Sequence, residues 1–286
     1  MATELVRFIK RFILLVPGIG IAYFSIRDVF PTLDKRLPLT IAVFFTYVLA
    51  AYVLIPALIR VVRLFVVERH LPLYCITPDG FASDPINIAL VGSRDQLISA
   101  MLSAGWYVAD SKTPANVLRQ IYSAVFNRAY PTAPMSHLYL FGRKQDIGFE
   151  IPLKGARGER HHVRFWATTF ESDEPLNFRS IHWFERKNQL RGHQLLWVGA
   201  ASLDVGISFI RHNAQITHMI SPDTNAERNL IVNQLVRKKT AKPLSEVRLG
   251  KPYWLINRVW RGYMQSDGIM QVLKLQDTTL PPERQA

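Results

Sequence analysis

Three polar segments of this 286-residue chain carry the residue types that chemistry most often uses. They are RHHVRFW at residues 160–166, LWVGAASLDVG at 196–206 and THMISPDTNAERNLIVNQL at 217–235. Histidine and aspartate could act there as a general base, a metal ligand or a partner carboxylate, and arginine could stabilise phosphoryl oxygens. These residue types leave open both the binding of a phosphate-bearing ligand and the hydrolysis of a phosphate ester.

The first of these segments is predicted to be a strand, in which alternate residues share a face. One face then carries a cationic strip that ends in an aromatic ring: Arg160, His162, Arg164 and Trp166. Two arginines flanking a histidine could hold a phosphate or a carboxylate in a bidentate manner. The alternative is a solvated face whose cations pair with nearby acids, and the pattern leaves both open.

The second segment ends in Asp204, after the small residues 199–202. Small side chains in a strand let a helix or a ligand approach the backbone closely. Asp204 could pair with Arg164 or join a histidine at a metal, although an aspartate at a strand end is also a common turn residue. We treat it as a candidate catalytic carboxylate.

The third segment is predicted to run from a strand through a turn into a helix. Thr224, with Glu227 three residues later, predicts a capping box, and Asp223 lies where the helix dipole favours a negative charge. His218 ends the strand just before this helix, a common position for a site histidine, although a single histidine is more often structural. The catalytic candidates are His218, His162 and Asp204, and the ligand-binding candidates are Arg160, Arg164, Trp166, Asp223, Glu227 and Arg228.

The elements that must position these residues follow from hydrophobic periodicity. Ile86–Val91 has the length of a buried strand, and Ser93 with Gln96 predicts the capped start of a helix. Ala115–Phe126 is predicted to be an amphipathic helix, and the Asp-Gly pair at 267–268 between two apolar runs predicts a hairpin. The order of elements predicts an α+β fold, in which a mixed, largely antiparallel sheet carries helices on one face.

The N-terminal part of the chain is predicted to be a membrane anchor. Pro38–Ile59 has no charge over 22 residues, enough for a helix to span ~30 Å of hydrocarbon. Phe12–Ile26 is apolar for 15 residues and predicts a short or tilted first span, with an interfacial helix as the alternative. The two spans, at about 12–30 and 38–62, would form a transmembrane helical hairpin, and the flanking cations then place both termini in the cytoplasm.

The domain organisation follows from these segments. We expect a membrane anchor at 1–70, a linker at 71–84, an α+β domain at 85–277 and a disordered tail at 278–286. The linker rests on its punctuation by proline, glycine and aspartate.

The net charge of +13 suits an anionic lipid surface or a phosphate-bearing ligand, and also a merely soluble basic surface. The single cysteine, Cys75, excludes an intramolecular disulfide and fits a reducing compartment. The chain has no clustered cysteine and histidine pattern for zinc, no nucleotide-binding glycine loop and no nucleic-acid-binding module, so no nucleic-acid partner is expected. The cofactor stays unidentified.

Several segments, taken in order, resemble the LssY C-terminal domain family over about Pro85–Leu275. They are PINIALVG, LISAMLSAGW, AYPTAPMSHLYLFGRKQDIGFE, RHHVRFW, LWVGAASLDVGI, THMISPDTNAERN and SDG. The resemblance implies a membrane-associated bacterial protein, because similar domains occur fused behind DedA-type membrane regions and PAP2-type lipid-phosphate phosphatases. The residues that match its polar motifs are Arg160, His162, Arg164, Trp166, Asp204, His218, Asp223, Glu227, Arg228 and Asp267.

Two functional hypotheses follow. The first is a module anchored in the bacterial inner membrane, with its folded domain in the cytoplasm, that binds an anionic headgroup or a membrane partner. Its expected partners are membrane lipid and DedA- or PAP2-type membrane proteins, in envelope or lipid-phosphate metabolism. The alternative is a phosphate-ester hydrolase that uses His218 or His162 with Asp204 and Asp223.

Overall fold

The computed structural model describes residues 18–55, 57–58, 71–78, 80–126, 128–140, 142–153, 159–169, 194–209, 216–257 and 262–277. The strands are β1 (Tyr74–Ile76), β2 (Ala82–Gly92), β3 (Tyr107–Val108), β4 (Tyr139–Leu140), β5 (Arg143–Lys144), β6 (Ile147–Pro152), β7 (Arg160–Thr169), β8 (Leu195–Phe209), β9 (Ile216–Ile220), β10 (Ala241–Arg248), β11 (Tyr253–Asn257), β12 (Gly262–Ser266) and β13 (Ile269–Leu275). The α-helices are α1 (Phe30–Asp34), α2 (Leu39–Val48), α3 (Arg94–Ser103), α4 (Pro114–Val125) and α5 (Thr224–Arg237), with π-helical turns at Ser25–Val29 and Leu49–Leu54.

One large curled sheet organises the fold. Its neighbouring strands run in the order β3, β6, β7, β8, β2, β1, β4 and β5. β13 runs parallel to the second half of β2 and pairs on its other side with β10, whereas β9 pairs with the end of β8. The other pairings in this sheet are antiparallel. The mixed α+β class with a largely antiparallel sheet is therefore confirmed.

Both faces of the central strands are buried, because each face has its own hydrophobic core. Helices α3 and α5 pack on one face, where the core includes Leu97, Met101, Phe165, Trp197 and Ile231. The opposite core includes Cys75, Leu140, Trp166, Val198 and Met270. The small residues predicted to allow a close approach serve this packing, since a Cβ on Gly199 would lie 2.6 Å from Cε1 of Phe165.

The helices begin where side chains can satisfy their free N–H groups. α3 has the predicted capping box, in which Ser93 Oγ accepts from the Gln96 N–H and Gln96 Oε1 accepts from the Ser93 N–H. The capping box predicted for α5 was wrong. Asp223 is the N-cap and its carboxylate accepts from two backbone N–H groups, while Thr224 already belongs to the helix and donates its hydroxyl to the Gln265 carbonyl.

The hairpin predicted at residues 267–268 was also wrong. Strands do flank the Asp-Gly pair, but β12 pairs with β11, and β13 pairs with β10 and β2. The local turn is present, whereas the partners of its strands come from elsewhere in the chain. The segment predicted to be a linker, 71–84, contains β1 and the start of β2.

The N-terminal residues form helices, as predicted. α2 continues without a break into the π-helical turn at Leu49–Leu54. Among the described residues, no helix is both long and apolar enough to cross a membrane. The predicted spans at 12–30 and 38–62 therefore gain no support; residues 12–17, 56 and 59–62, like the predicted tail at 278–286, lie outside the described residues.

Candidate functional site

The cationic strip of β7 is buried instead of solvated. Alternation along the strand places its four side chains on one face, as predicted, and this is the face away from α3 and α5. None of the four is more than 9% exposed. Carboxylates and a hydroxyl from three neighbouring strands meet the strip. We call the resulting cluster the buried network: Asp84, Glu150, Arg160, His162, Arg164, Ser202 and Asp204.

Asp84, near the start of β2, is one centre of the buried network. Its Oδ2 accepts a hydrogen bond from Arg164 Nη1 at 2.6 Å and lies 3.2 Å from His162 Nε2. The same histidine nitrogen lies 2.9 Å from the hydroxyl of Ser202. Arg164 also donates to the backbone carbonyl of Ser136. The guanidinium and Nε2 of the imidazole are therefore occupied by groups of the protein itself, whereas Nδ1 of His162 is buried with no hydrogen-bond partner among the described residues.

Arg160 is the second centre of the network. Its Nη1 donates to Glu150 Oε2 at 2.5 Å, and its Nε donates to Asp204 Oδ2 at 3.2 Å. The other oxygen of Asp204 lies 3.6 Å from His162 Nδ1, so the two centres are joined through this histidine. The predicted pairing of Asp204 with Arg164 is replaced by a pairing with Arg160, which lies directly opposite Asp204 in the register of β7 and β8.

Burial and charge act in opposite directions on the carboxyl groups of Asp84 and Glu150. Burial raises the pKa of Asp84, but the guanidinium of Arg164 and the hydrogen bond to His162 outweigh it and hold this pKa at about 2. Burial also raises the pKa of Glu150, and there Arg160 offsets it only in part, so that this pKa lies at about 7. The network therefore contains one carboxyl group that is ionised at neutral pH and one that titrates near it.

The raised pKa of Glu150 predicts a loss of stability as pH rises. Because its folded-state pKa of about 7 exceeds the ordinary value of 4.5, the folded chain binds more protons between these values than the unfolded chain does. We expect this stabilisation, roughly 3 kcal/mol, to be complete below pH ~4.5 and lost as pH rises through ~7. Urea unfolding of Glu150→Gln at several pH values should show a flatter dependence in this window. Glu246→Gln, an exposed matched control, should keep the wild-type slope; equal slopes in all three proteins would contradict the prediction.

Ser202, His162 and Asp204 follow one another in the order hydroxyl, imidazole, carboxylate. This order is that of a relay which activates a serine nucleophile. However, Ser202 is fully buried, His162 is 1% exposed and Asp84 shares the same imidazole nitrogen. A substrate would have to displace buried groups to reach the hydroxyl.

The helix-side face of the sheet holds the remaining candidates. His161 lies on this face, and its Nδ1 lies 2.8 Å from the carboxylate of Glu227, which is 4% exposed. Arg228 donates to Asp267 at 2.9 Å and to the carbonyl of Ile269. Glu227 and Arg228 thus tie α5 to β7 and to the turn before β13, away from the buried network.

The sheet separates Glu227 and Arg228 from the buried network. His218 lies in β9, opposite Ile207 of β8, and its side chain lies outside what the structure describes. Asp223 is used as the helix cap. Among the candidate catalytic residues, the structure brings together His162 and Asp204.

Comparison with known protein families identifies a match. The family model described as LssY C-terminus matches residues 68–258. The chain belongs to the LssY C-terminal family. The resemblance found in its ordered motifs is therefore confirmed. No curated protein matches the chain, and no solved structure does.

Three members of the buried network in this LssY C-terminal domain escaped the sequence analysis: Asp84, Glu150 and Ser202. Asp84 was placed in the predicted linker, and Ser202 was grouped with the small residues of β8. Glu150 did leave a signal, since it is a lone acid in the apolar run of β6. Within the described residues, no three histidine, cysteine or acidic side chains are placed to hold a metal ion.

The exposed surface of the LssY C-terminal domain carries an apolar patch on α4. The helix is amphipathic, as predicted, but its apolar residues face outward. Five large side chains are 50–70% exposed, and we call them the α4 face: Leu118, Ile121, Tyr122, Val125 and Phe126. The helix begins with Thr113 as its N-cap. Exposed apolar patches are common at surfaces that contact proteins or membranes.

Proposed function

We propose that the LssY C-terminal domain docks on an anionic membrane surface through the α4 face, while cations around α4 contact the phosphate-bearing headgroups. The observation that carries this proposal is the exposure of the five apolar side chains of that face. An amphipathic helix with basic surroundings can lie in the plane of a membrane interface, with its apolar side among the upper acyl chains.

The charge around α4 supports an anionic surface. Residues 111–145 contain five arginines and lysines and no aspartate or glutamate. Of these cations, Arg119 lies on the helix and Arg128 follows it, and both are exposed. Each basic residue near an anionic bilayer adds about 1 kcal/mol of attraction. A partner protein would need a matching acidic and apolar surface, whereas an anionic bilayer offers both properties.

The basic segment from the end of α5 to the start of β10 supports the same class of ligand. Arg237, Lys238, Lys239 and Lys242 are exposed, and none forms an ion pair with another described residue. Lys239 has φ of +57°, in the helix-ending position where glycine is usual. Keeping a lysine in this conformation costs about 1 kcal/mol, which is consistent with a use for its charge.

The predicted spans, location, partners and hydrolase activity relate to this proposal in different ways. Docking through α4 does not depend on the N-terminal spans. A position at the cytoplasmic side of the bacterial inner membrane, and DedA- or PAP2-type proteins as partners, stay predictions. The hydrolase alternative has weaker support, because His162 and Asp204 are buried and paired and Asp223 caps α5.

A fluorophore on the α4 face tests the docking directly. Val125→Cys places a thiol at a position that is 70% exposed, while the native Cys75 is fully buried and burial raises its pKa, so it should not be labelled. With the full chain and vesicles of phosphatidylcholine plus phosphatidylglycerol, we expect an environment-sensitive label at 125 to shift to the blue. Adding Leu118→Gln should weaken this vesicle response about tenfold, since an apolar anchor is lost.

The matched control is Ala226→Cys, an exposed position in the first turn of another helix, α5. Its label should not respond, whatever the N-terminal helices do. A response at 226 equal to that at 125, or an equal response to pure phosphatidylcholine vesicles, would contradict docking through α4 on an anionic surface. The response should also weaken at high salt.

A further inference from the structure

A cleft lies beside the start of α4, on the part of the sheet formed by β3, β5 and β6. Its volume is about 530 Å³, within the range of small-molecule sites. Its apolar lining includes Ile98, Val108 and Ile147. The residues just before α4, at 109–112, form one wall of the cleft.

Three cations line this cleft: Arg94 at the start of α3, Lys112 just before α4, and Lys144 in β5. They come from three separate parts of the chain, and all three are exposed. Among the described residues, none of them has a carboxylate within ion-pair distance. The arginines of the buried network differ in this respect, since their charges are already used by the protein.

The two acids of the cleft offset only part of this positive charge. Asp146 is engaged by Arg143 at 3.0 Å and by the backbone N–H of Ala167. Asp110 accepts hydrogen bonds from the hydroxyls of Tyr130 at 2.6 Å and Thr132 at 3.0 Å. The cleft therefore keeps a net positive charge.

His137 also lines the cleft, and the positive charge of the cleft affects the pKa of its imidazole. Burial lowers the pKa of His137, and the positive charges of Lys144 and Lys112 lower it further. Its Nδ1 is buried, with no hydrogen-bond partner in the described part of the chain. An anion held between the lysines would reduce the positive potential at this imidazole.

We propose that this cleft binds the phosphate group of a small phosphate monoester between Arg94, Lys112 and Lys144. A phosphate monoester carries close to two negative charges at pH 7 and three acceptor oxygens, which matches three cations and one carboxylate without a cationic partner. The apolar lining would contact the organic part of the ligand. If the phosphate belongs to a membrane lipid, the proposal also rests on the proposed membrane docking. Binding of a soluble phosphate monoester in the cleft does not depend on that docking.

Calorimetric titration of the full chain tests the site without a bilayer. The probes are inorganic phosphate, glycerol 3-phosphate and a short-chain phosphatidic acid kept below its micelle concentration. We expect Lys112→Gln and Lys144→Gln each to weaken binding of the monoesters about five- to tenfold, because each removes a charged donor. In NMR titrations, the bound phosphate should raise the pKa of His137. Both lysines are exposed, so the variants should fold normally.

Lys251→Gln, at another exposed lysine, is the matched control and should bind like the wild type. Equal weakening with glycerol 3-phosphate and short-chain phosphatidic acid would support a site that reads the phosphate alone. Weakening with the lipid only would support a headgroup site. Absence of binding to all three probes, or unchanged binding in both cleft variants, would overturn the proposal. Docking of the α4 face could still succeed in that case, because its label reports on vesicles alone.

Discussion

Replacing Asp84 with asparagine should lower the free energy of unfolding by about 3–5 kcal/mol. The carboxylate is 2% exposed and accepts a hydrogen bond from Arg164 at 2.6 Å. An amide in its place would leave the guanidinium buried without a counter-charge, and desolvation of that charge is costly. Chemical unfolding in urea, followed by circular dichroism, would measure the loss.

The control for this variant is Asp95→Asn, on the exposed first turn of α3. It removes a carboxylate that interacts only with the helix dipole and should cost less than about 1 kcal/mol. A loss of this small size in Asp84→Asn would contradict the central place of Asp84 in the network.

A double variant separates the ion pair from general damage. Because each single substitution leaves the other charge unpaired, Asp84→Asn with Arg164→Gln should cost less than the sum of the two single changes. Additive losses would show that the two groups do not act as a pair.

The pH dependence of stability gives a second test of Asp84. The depressed pKa of Asp84 predicts stability that is present above pH ~4 and lost as pH falls toward ~2.

Replacing Trp166 with alanine should also cost about 3–5 kcal/mol, because it empties a large buried volume. Trp166 is fully buried in the core opposite the helices, and its Nε1 donates to the carbonyl of Arg143 at 3.2 Å. The sequence pattern had suggested that Trp166 contacts a ligand. Because the side chain is buried in this core, the expected result is instead a loss of stability, measured by thermal and urea unfolding.

Trp254→Ala is the matched control. That indole is 68% exposed and stacks on Tyr263 with ring centroids 5.6 Å apart, so its removal should cost about 1 kcal/mol. The packing role would be wrong if Trp166→Ala lost no more free energy of unfolding than this control. It would also be wrong if Trp166→Ala kept full stability but lost binding of a phosphate probe.

Local patterns predicted much of the secondary structure of this protein. The alternation of RHHVRFW correctly separates Val163 and Phe165 from the strip, because side chains of a strand must point to opposite faces. Ser93 and Gln96 correctly mark the start of α3, since a capping box needs only residues three apart. The ordered motifs also identified the family over most of the folded part.

Only the tertiary structure decided what these elements contact. Asp84 comes from a segment 78 residues before His162, and the long strands β2 and β8 bring it beside the strip; no local period encodes that pairing. The Asp-Gly turn at 267–268 was visible, but its two strands pair with other partners. The amphipathic period of α4 was visible as well, whereas its outward direction depends on what packs around it. Which face is covered is therefore a property of the assembled sheet, because side chains far apart in the chain supply the cover.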